Sequence, residues 1–168
     1  MTGGAPALDT SRLTLRPLRP EDAADLHAVL DDPALHVVIG GEPPTAAEWA
    51  ARVDRWQRGT SPDGAQRWLN WVVRGADDGV ALGHLQATVV ASGDAEVAWV
   101  VGTEHQGRGY ATEAARAVCE WLLADGAGVL SASIRPGHTP SERVAAACGM
   151  TDTGELDDEG ESRWERRA

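Results

Sequence analysis

The chain has 168 residues, a formal net charge of −11 and a sequence pI near 4.8, with 42% hydrophobic and 24% charged residues. That length suits one domain with its own core, and the acidic balance speaks against the phosphate backbone of a nucleic acid as partner, which needs clustered positive charge. No basic-then-apolar leader opens the sequence and no run of eighteen apolar residues interrupts it, so a cytoplasmic protein with no membrane segment is expected.

All fifteen basic residues are arginine; lysine and phenylalanine are absent and Asn70 is the one asparagine. These three residue types use AT-rich codons, so the bias reads as that of a GC-rich bacterial genome. Cys119 and Cys148 sit in apolar helical surroundings with neither disulfide nor metal-ligand spacing, and are expected to be reduced core residues.

In chain order, residues 1–10 read as a flexible lead-in and 11–168 as the single domain. Residues 12–18 alternate polar and apolar and predict a first strand ended by Pro17. Glu21 and Asp22 open a helix with Leu26, Val29 and Leu30 on one face, stopped before Pro33. Pro43-Pro44-Thr45 starts a second helix, on which Trp49, Val53 and Trp56 form one stripe, better suited to core packing than to lining a cleft. Strands at 67–74, 80–90 and 95–101, joined by short turns, predict an antiparallel meander.

Residues 102–110 form a glycine-rich loop, and Ala111, Ala114, Ala115, Val118, Cys119, Leu122 and Leu123 then recur at helical spacing. A strand at 129–134 can lie parallel to 95–101 through this helical crossover. Thr139-Pro140-Ser141-Glu142 reads as a capping box opening a short helix, and 150–156 with 162–167 as a final hairpin. The predicted order is β-α-α-β-β-β-α-β-α-β-β, a mixed α/β (α+β) domain with a mostly antiparallel central sheet flanked by helices.

The loop Gln106-Gly107-Arg108-Gly109-Tyr110-Ala111 is the feature richest in chemistry. Glycines free the backbone to present its N–H groups, and a helix opening directly from them adds unpaired donors and the positive end of its dipole. The stretch therefore reads as an anion cradle. A P-loop would require lysine and Ser/Thr after the last glycine, where Tyr110 and Ala111 stand; a dinucleotide fingerprint belongs on the first βα turn of a parallel sheet, not after a meander. The dinucleotide reading is therefore the weaker one, and the third reading is a pyrophosphate-bearing thioester, coenzyme A.

Gln106-Gly107-Arg108-Gly109-Tyr110-Ala111 resembles the Gln/Arg-x-x-Gly-x-Gly/Ala signature of the GNAT N-acetyltransferase superfamily. Arg12-Leu13-Thr14-Leu15-Arg16-Pro17 with Glu21-Asp22, the strand 96–101, and Ser141-Glu142-Arg143-Val144 through Gly149-Met150 are similar to that family's opening, central strand and last helix, the last in its Rim-type form, which acetylates ribosomal-protein N-termini. The resemblance implies an acetyl-CoA-dependent N-acetyltransferase, with acetyl-CoA as co-substrate and no metal. It implies that the amides of Gln106 to Ala111 hold the pyrophosphate, with Thr112 nearby, and that the backbone of Trp99, Val100 and Val101 pairs with pantetheine. A bulge and splay against strand 129–134 would open the groove. His138 stands where the family often has asparagine bonded to pantetheine, and a dimer is common in the family.

The implied reaction is attack of a neutral amine on the thioester. Deprotonation at pH 7 costs roughly 1 kcal/mol for an α-amino group and nearly 5 for a lysine-type amine, so a general base matters chiefly for the second. Glu96 is the base candidate, against a reading as a solvent-facing strand carboxylate; His84 and His105 are weaker candidates read more readily as structural. An amide near Val100 would receive the oxyanion. Ser141 is the candidate acid for the leaving thiolate, against a reading as a helix-start residue, because the one tyrosine, Tyr110, lies in the loop. The acceptor is an amine-bearing small molecule or a peptide N-terminus, and a non-catalytic acyl-CoA-binding or sensor domain is the alternative.

Overall fold

The computed structural model describes residues 4–168. The strands are β1 (Leu8–Asp9), β2 (Leu13–Pro17), β3 (Gln66–Gly75), β4 (Ala81–Val90), β5 (Ala95–Val101), β6 (Val129–Ile134), β7 (Thr151–Leu156) and β8 (Ser162–Arg167). The helices are α1 (Ala23–Leu30), α2 (Pro33–Ile39), α3 (Ala46–Trp56), α4 (Tyr110–Ala124) and α5 (Thr139–Ala147). One eight-stranded sheet runs β1-β2-β3-β4-β5-β6-β8-β7, antiparallel except for the β5–β6 pair that α4 connects. This is the mixed, mostly antiparallel sheet flanked by helices that the sequence predicts.

Two elements depart from the predicted order. Pro33 does end the first helix, but it also starts α2, where Asp32 caps by accepting from the Ala34 amide at 2.8 Å. The stretch read as a flexible lead-in contributes β1, which pairs with β2, while Pro6 accepts from Trp71 Nε1 at 2.7 Å. The first three positions of that lead-in lie outside the described residues.

The sheet separates two cores. One face packs Leu13, Leu15, Trp71, Leu85 and Val97 against Val118, Cys119 and Leu122 of α4, Val144 of α5 and Cys148 just after it. On the other, Leu26 and Leu30 of α1 and Trp49 and Val53 of α3 close over Leu18 and Val72, so the aromatic stripe of α3 is core, with Trp56 packed at its edge. Both cysteines are free and buried, and contact with the Cys148 thiol followed by burial pushes the Cys119 thiol up. Their expected place in the core holds.

β4 carries the bend that shapes the centre. Its register against β3 slips by one residue between Val73↔Gly83 and Arg74↔Ala81, leaving Leu82 as the extra residue of a bulge. A Cβ on Gly83 would lie 2.1 Å from the Val100 carbonyl oxygen, so only glycine lets β4 approach β5 this closely.

Candidate active site

β5 and β6 part almost as soon as they meet. Their parallel pairing covers Ala95↔Leu130 and Glu96↔Ser131, after which the strands diverge. The β4–β5 register is unbroken from Val89↔Ala95 to Gly83↔Val101, so the opening comes from divergence and not from the expected bulge in β5. The register also fixes which backbone groups face the gap. Gly102 N donates to Leu82 O and Val90 N to Asp94 O, so the even-numbered residues of β5 point N–H and C=O into the β4 ladder. Trp99 and Val101 therefore present their amides to the open side. Val100 turns its own amide into the β4 ladder, and its side chain packs against the α1–α3 core.

The glycine loop follows through a short 3₁₀ turn, Thr103–His105. Gly107 and Gly109 adopt φ of +73° and +80°, and Gly109 caps α4 in the left-handed conformation. No backbone carbonyl of the described residues accepts from the amides of Gly107, Arg108, Gly109, Tyr110, Ala111 or Thr112, and the first bond of the helix runs from Glu113 N to Gly109 O. Six consecutive unpaired donors at a helix N-terminus have the geometry that suits an anion cradle held by main chain. Gln106 is different. Its amide donates to Thr103 O at 3.3 Å and its side-chain Nε2 to Val101 O at 3.0 Å, so it braces the loop against β5 and is not one of the cradle's open donors.

Behind the loop, Glu113 accepts from Thr10 Oγ1 (2.6 Å), Arg12 N (3.0 Å) and Arg12 Nε (2.7 Å). Partial burial opposes its ionisation, but these bonds and the Arg12 charge outweigh that and hold the carboxyl below its ordinary range. Nothing in the local sequence signals this clamp, because its halves lie about a hundred positions apart.

Glu96 sits where the strands part. It is exposed, on the face of β5 away from α4, and its Oε1 accepts from Ser133 Oγ of β6 at 3.0 Å. The neighbouring hairpin is acidic; Glu161 is pushed up by partial burial and by Asp157 and Glu159. His138 is the residue before α5, and its Nδ1 lies 2.9 Å from Ser141 Oγ. The predicted capping box is absent: the helix begins at Thr139, and Glu142 accepts from the Gly137 amide. Ser141 and His138 are thus one hydrogen-bonded pair.

The two weaker histidine candidates separate. His84 is buried, stacked on Trp56 at 4.7 Å with an 8° interplanar angle, and bonded through Nε2 to Asn70 Oδ1 at 3.1 Å. Burial, with the Arg52 charge, lowers its pKa to about 3, so it is neutral and a poor base. His105 lines a cavity of about 300 Å³ with Val29, Asp31, Asp32, Gly102 and Glu104. Those carboxylates make the cavity unsuited to phosphate. No group of three or more histidine, cysteine or acidic side chains among the described residues could hold a metal, and no described helix is long and apolar enough to cross a membrane.

Comparison with known proteins gives the class of this scaffold, a sheet parted beside a helix-opening glycine loop: it is that of an acyltransferase. Residues 12–151 match the model of the acetyltransferase (GNAT) domain, and the chain belongs to the GNAT acetyltransferase family. It is 25% identical over 152 residues to an uncharacterized N-acetyltransferase p20 of Bacillus licheniformis, covering 90% of this chain and 85% of the relative. Its fold is similar to that of a proposed ribosomal-protein-serine acetyltransferase of Vibrio cholerae, with TM-score 0.80, 16% identity, and 96% and 97% of the two chains covered. It is also similar to spermidine N-acetyltransferase of Vibrio cholerae in complex with CoA and spermine, with TM-score 0.73, 18% identity, and 93% and 94% covered.

Proposed function

We propose that this chain is an acetyl-CoA-dependent N-acetyltransferase acting on a primary amine. The observation that carries the reading is the row of six open amides from Gly107 to Thr112 beside the unpaired edge of β5. The two features are contiguous in the chain, so one extended ligand can lay its pyrophosphate on the helix start and its pantetheine arm along Trp99 and Val101. The match of the acetyltransferase domain over 140 residues supports the same ligand.

In this reading the amine nitrogen attacks the thioester carbonyl, a C–N bond forms, and the C–S bond breaks. The Trp99 and Val101 amides are the donors open to the developing oxyanion. Glu96, at the mouth of the gap, takes the amine proton. Ser141 gives its hydroxyl proton to the departing thiolate and is reprotonated from solvent, to which Glu96 releases the amine proton. For that, Ser141 must accept from His138 Nδ1–H, which leaves the hydroxyl proton free to point elsewhere; the opposite tautomer would tie that proton to the imidazole. His138 thereby sets the orientation of Ser141 rather than reaching pantetheine itself. The charge of −11 and the acidic hairpin beside Glu96 favour a cationic acceptor, such as a peptide N-terminus or a polyamine.

The test is release of free thiol from acetyl-CoA across a panel of peptides, polyamines and aminoglycosides, with CoA binding measured in parallel by calorimetry. Turnover with at least one amine class is the expected result. CoA binding without turnover on any amine would assign the chain as a binding or sensor domain, and failure to bind CoA would overturn the reading altogether.

A further inference from the structure

We infer that Arg12 is a positioning residue that sets the orientation of the phosphate-binding loop from the opposite end of the chain. The inference rests on the proposed role of that loop and adds a side chain to a site so far built from backbone.

Arg12 makes three kinds of contact there. Nη1 donates to the carbonyl of Arg108 at 2.9 Å. Nε and Nη2 lie 2.7 and 2.6 Å from Glu113 Oε2 on the first turn of α4. The guanidinium carbon also lies 4.9 Å from the centroid of the Tyr110 ring. Glu113 is itself held by Thr10 Oγ1, Ser11 Oγ and the Arg12 amide, so the fork is aimed from both sides. A planar guanidinium can meet the carboxylate and the carbonyl at once in fixed directions; an ammonium cannot.

The carbonyl contact has a geometric consequence. In a trans peptide the C=O of one residue and the N–H of the next point in opposite directions. By gripping the Arg108 carbonyl, Arg12 turns the Gly109 amide away from itself and toward the open side of the loop. Gln106 and the Glu113 amide hold the loop at its two ends, but among the described residues no other donor bonds to the Arg108 carbonyl. Apart from its own chain neighbours, Gly107 has no heavy atom within 4 Å of where a Cβ would sit, and residues 106–109 are exposed. A second effect acts through charge. Glu113 places a carboxylate one turn inside the helix end that would receive phosphate, and Arg12 offsets it.

The test compares R12M, R12K and R12M/E113Q with the wild type, each checked by thermal melting. If Arg12 positions the loop, R12M raises the KM for acetyl-CoA roughly ten- to hundred-fold, the range carried by charge-assisted hydrogen bonds, with little change in kcat at saturation. R12K falls close to R12M, and R12M/E113Q stays weak because the Arg108 carbonyl remains ungripped. Full recovery in R12K or in the double variant would overturn the inference, reducing Arg12 to a charge. A second readout needs no ligand: ¹⁵N relaxation of the Gly107–Tyr110 amides in the CoA-free protein. Lowered order in R12M is expected, and unchanged order would overturn the positioning role. Because this readout stands without CoA, failure of the wild type to bind CoA would sink the proposed function while the loop measurement still judged Arg12.

Discussion

His84 makes the fold sensitive to mild acid. It is 6% exposed, stacked on Trp56 and bonded to Asn70, and its pKa in the fold is about 3 against an ordinary value of 6.5. The unfolded chain therefore takes up this proton first as pH falls, and stability is lost from about pH 6.5 down toward the folded value. At pH 5.5 about ten unfolded chains carry the proton for each that does not, while the folded imidazole stays neutral, a difference of about 1.4 kcal/mol relative to pH 7.5. H84Q keeps a neutral side chain able to bond to Asn70 and has nothing to titrate. Urea unfolding of both proteins at pH 7.5 and 5.5 isolates the effect, since every other titrating group is shared. The wild type should lose about 1.4 kcal/mol more than H84Q over that interval. Parallel loss in the two proteins would refute the assignment of a neutral, buried His84.

G83A forces a Cβ to 2.1 Å from the Val100 carbonyl oxygen and 3.0 Å from the Val101 Cα, both backbone atoms, so β5 itself must shift. A loss of about 1–3 kcal/mol in urea unfolding together with weaker CoA binding is expected; a variant normal in both would remove Gly83 from the shaping of the groove. E96Q should slow transfer to a lysine-type amine at pH 7 more than transfer to a peptide α-amine, because the first needs nearly 5 kcal/mol of deprotonation and the second roughly 1. Equal slowing for both acceptors would argue against Glu96 as the base. S141A should lower turnover by about tens-fold with acetyl-CoA affinity intact in calorimetry; an unaltered rate would leave Ser141 as the partner of His138 at the start of α5.

Most of the element order was legible in the sequence, because period and punctuation are local properties. Alternation marked β2, short turns marked out β3 to β5, the spacing of Ala111 to Leu123 marked α4, and the glycines before it marked a donor-rich helix start. Where two local rules met at one residue, the reading failed: Pro33 both stops α1 and opens α2. At α5 the Thr-Pro-Ser-Glu pattern was present, yet the helix began one position early, with His138 before it and Glu142 bonded to Gly137.

The finer design of the site was not legible, because it depends on which distant segments meet. The register of β4 against β5 decides that Trp99 and Val101, and not Val100, face the gap, and a slip of one residue would reverse it. Arg12 and Glu113 are ordinary surface-type residues in the sequence, a hundred positions apart. Strand pairing brings the β1–β2 turn to the N-terminus of α4, and only there do they become one clamp. Local pattern determined that the chain carries a donor-rich glycine loop and helix start next to a strand. Tertiary pairing decided which amides are open, which carbonyl is gripped and which histidine is buried, because each of those depends on atoms that the linear chain keeps far apart.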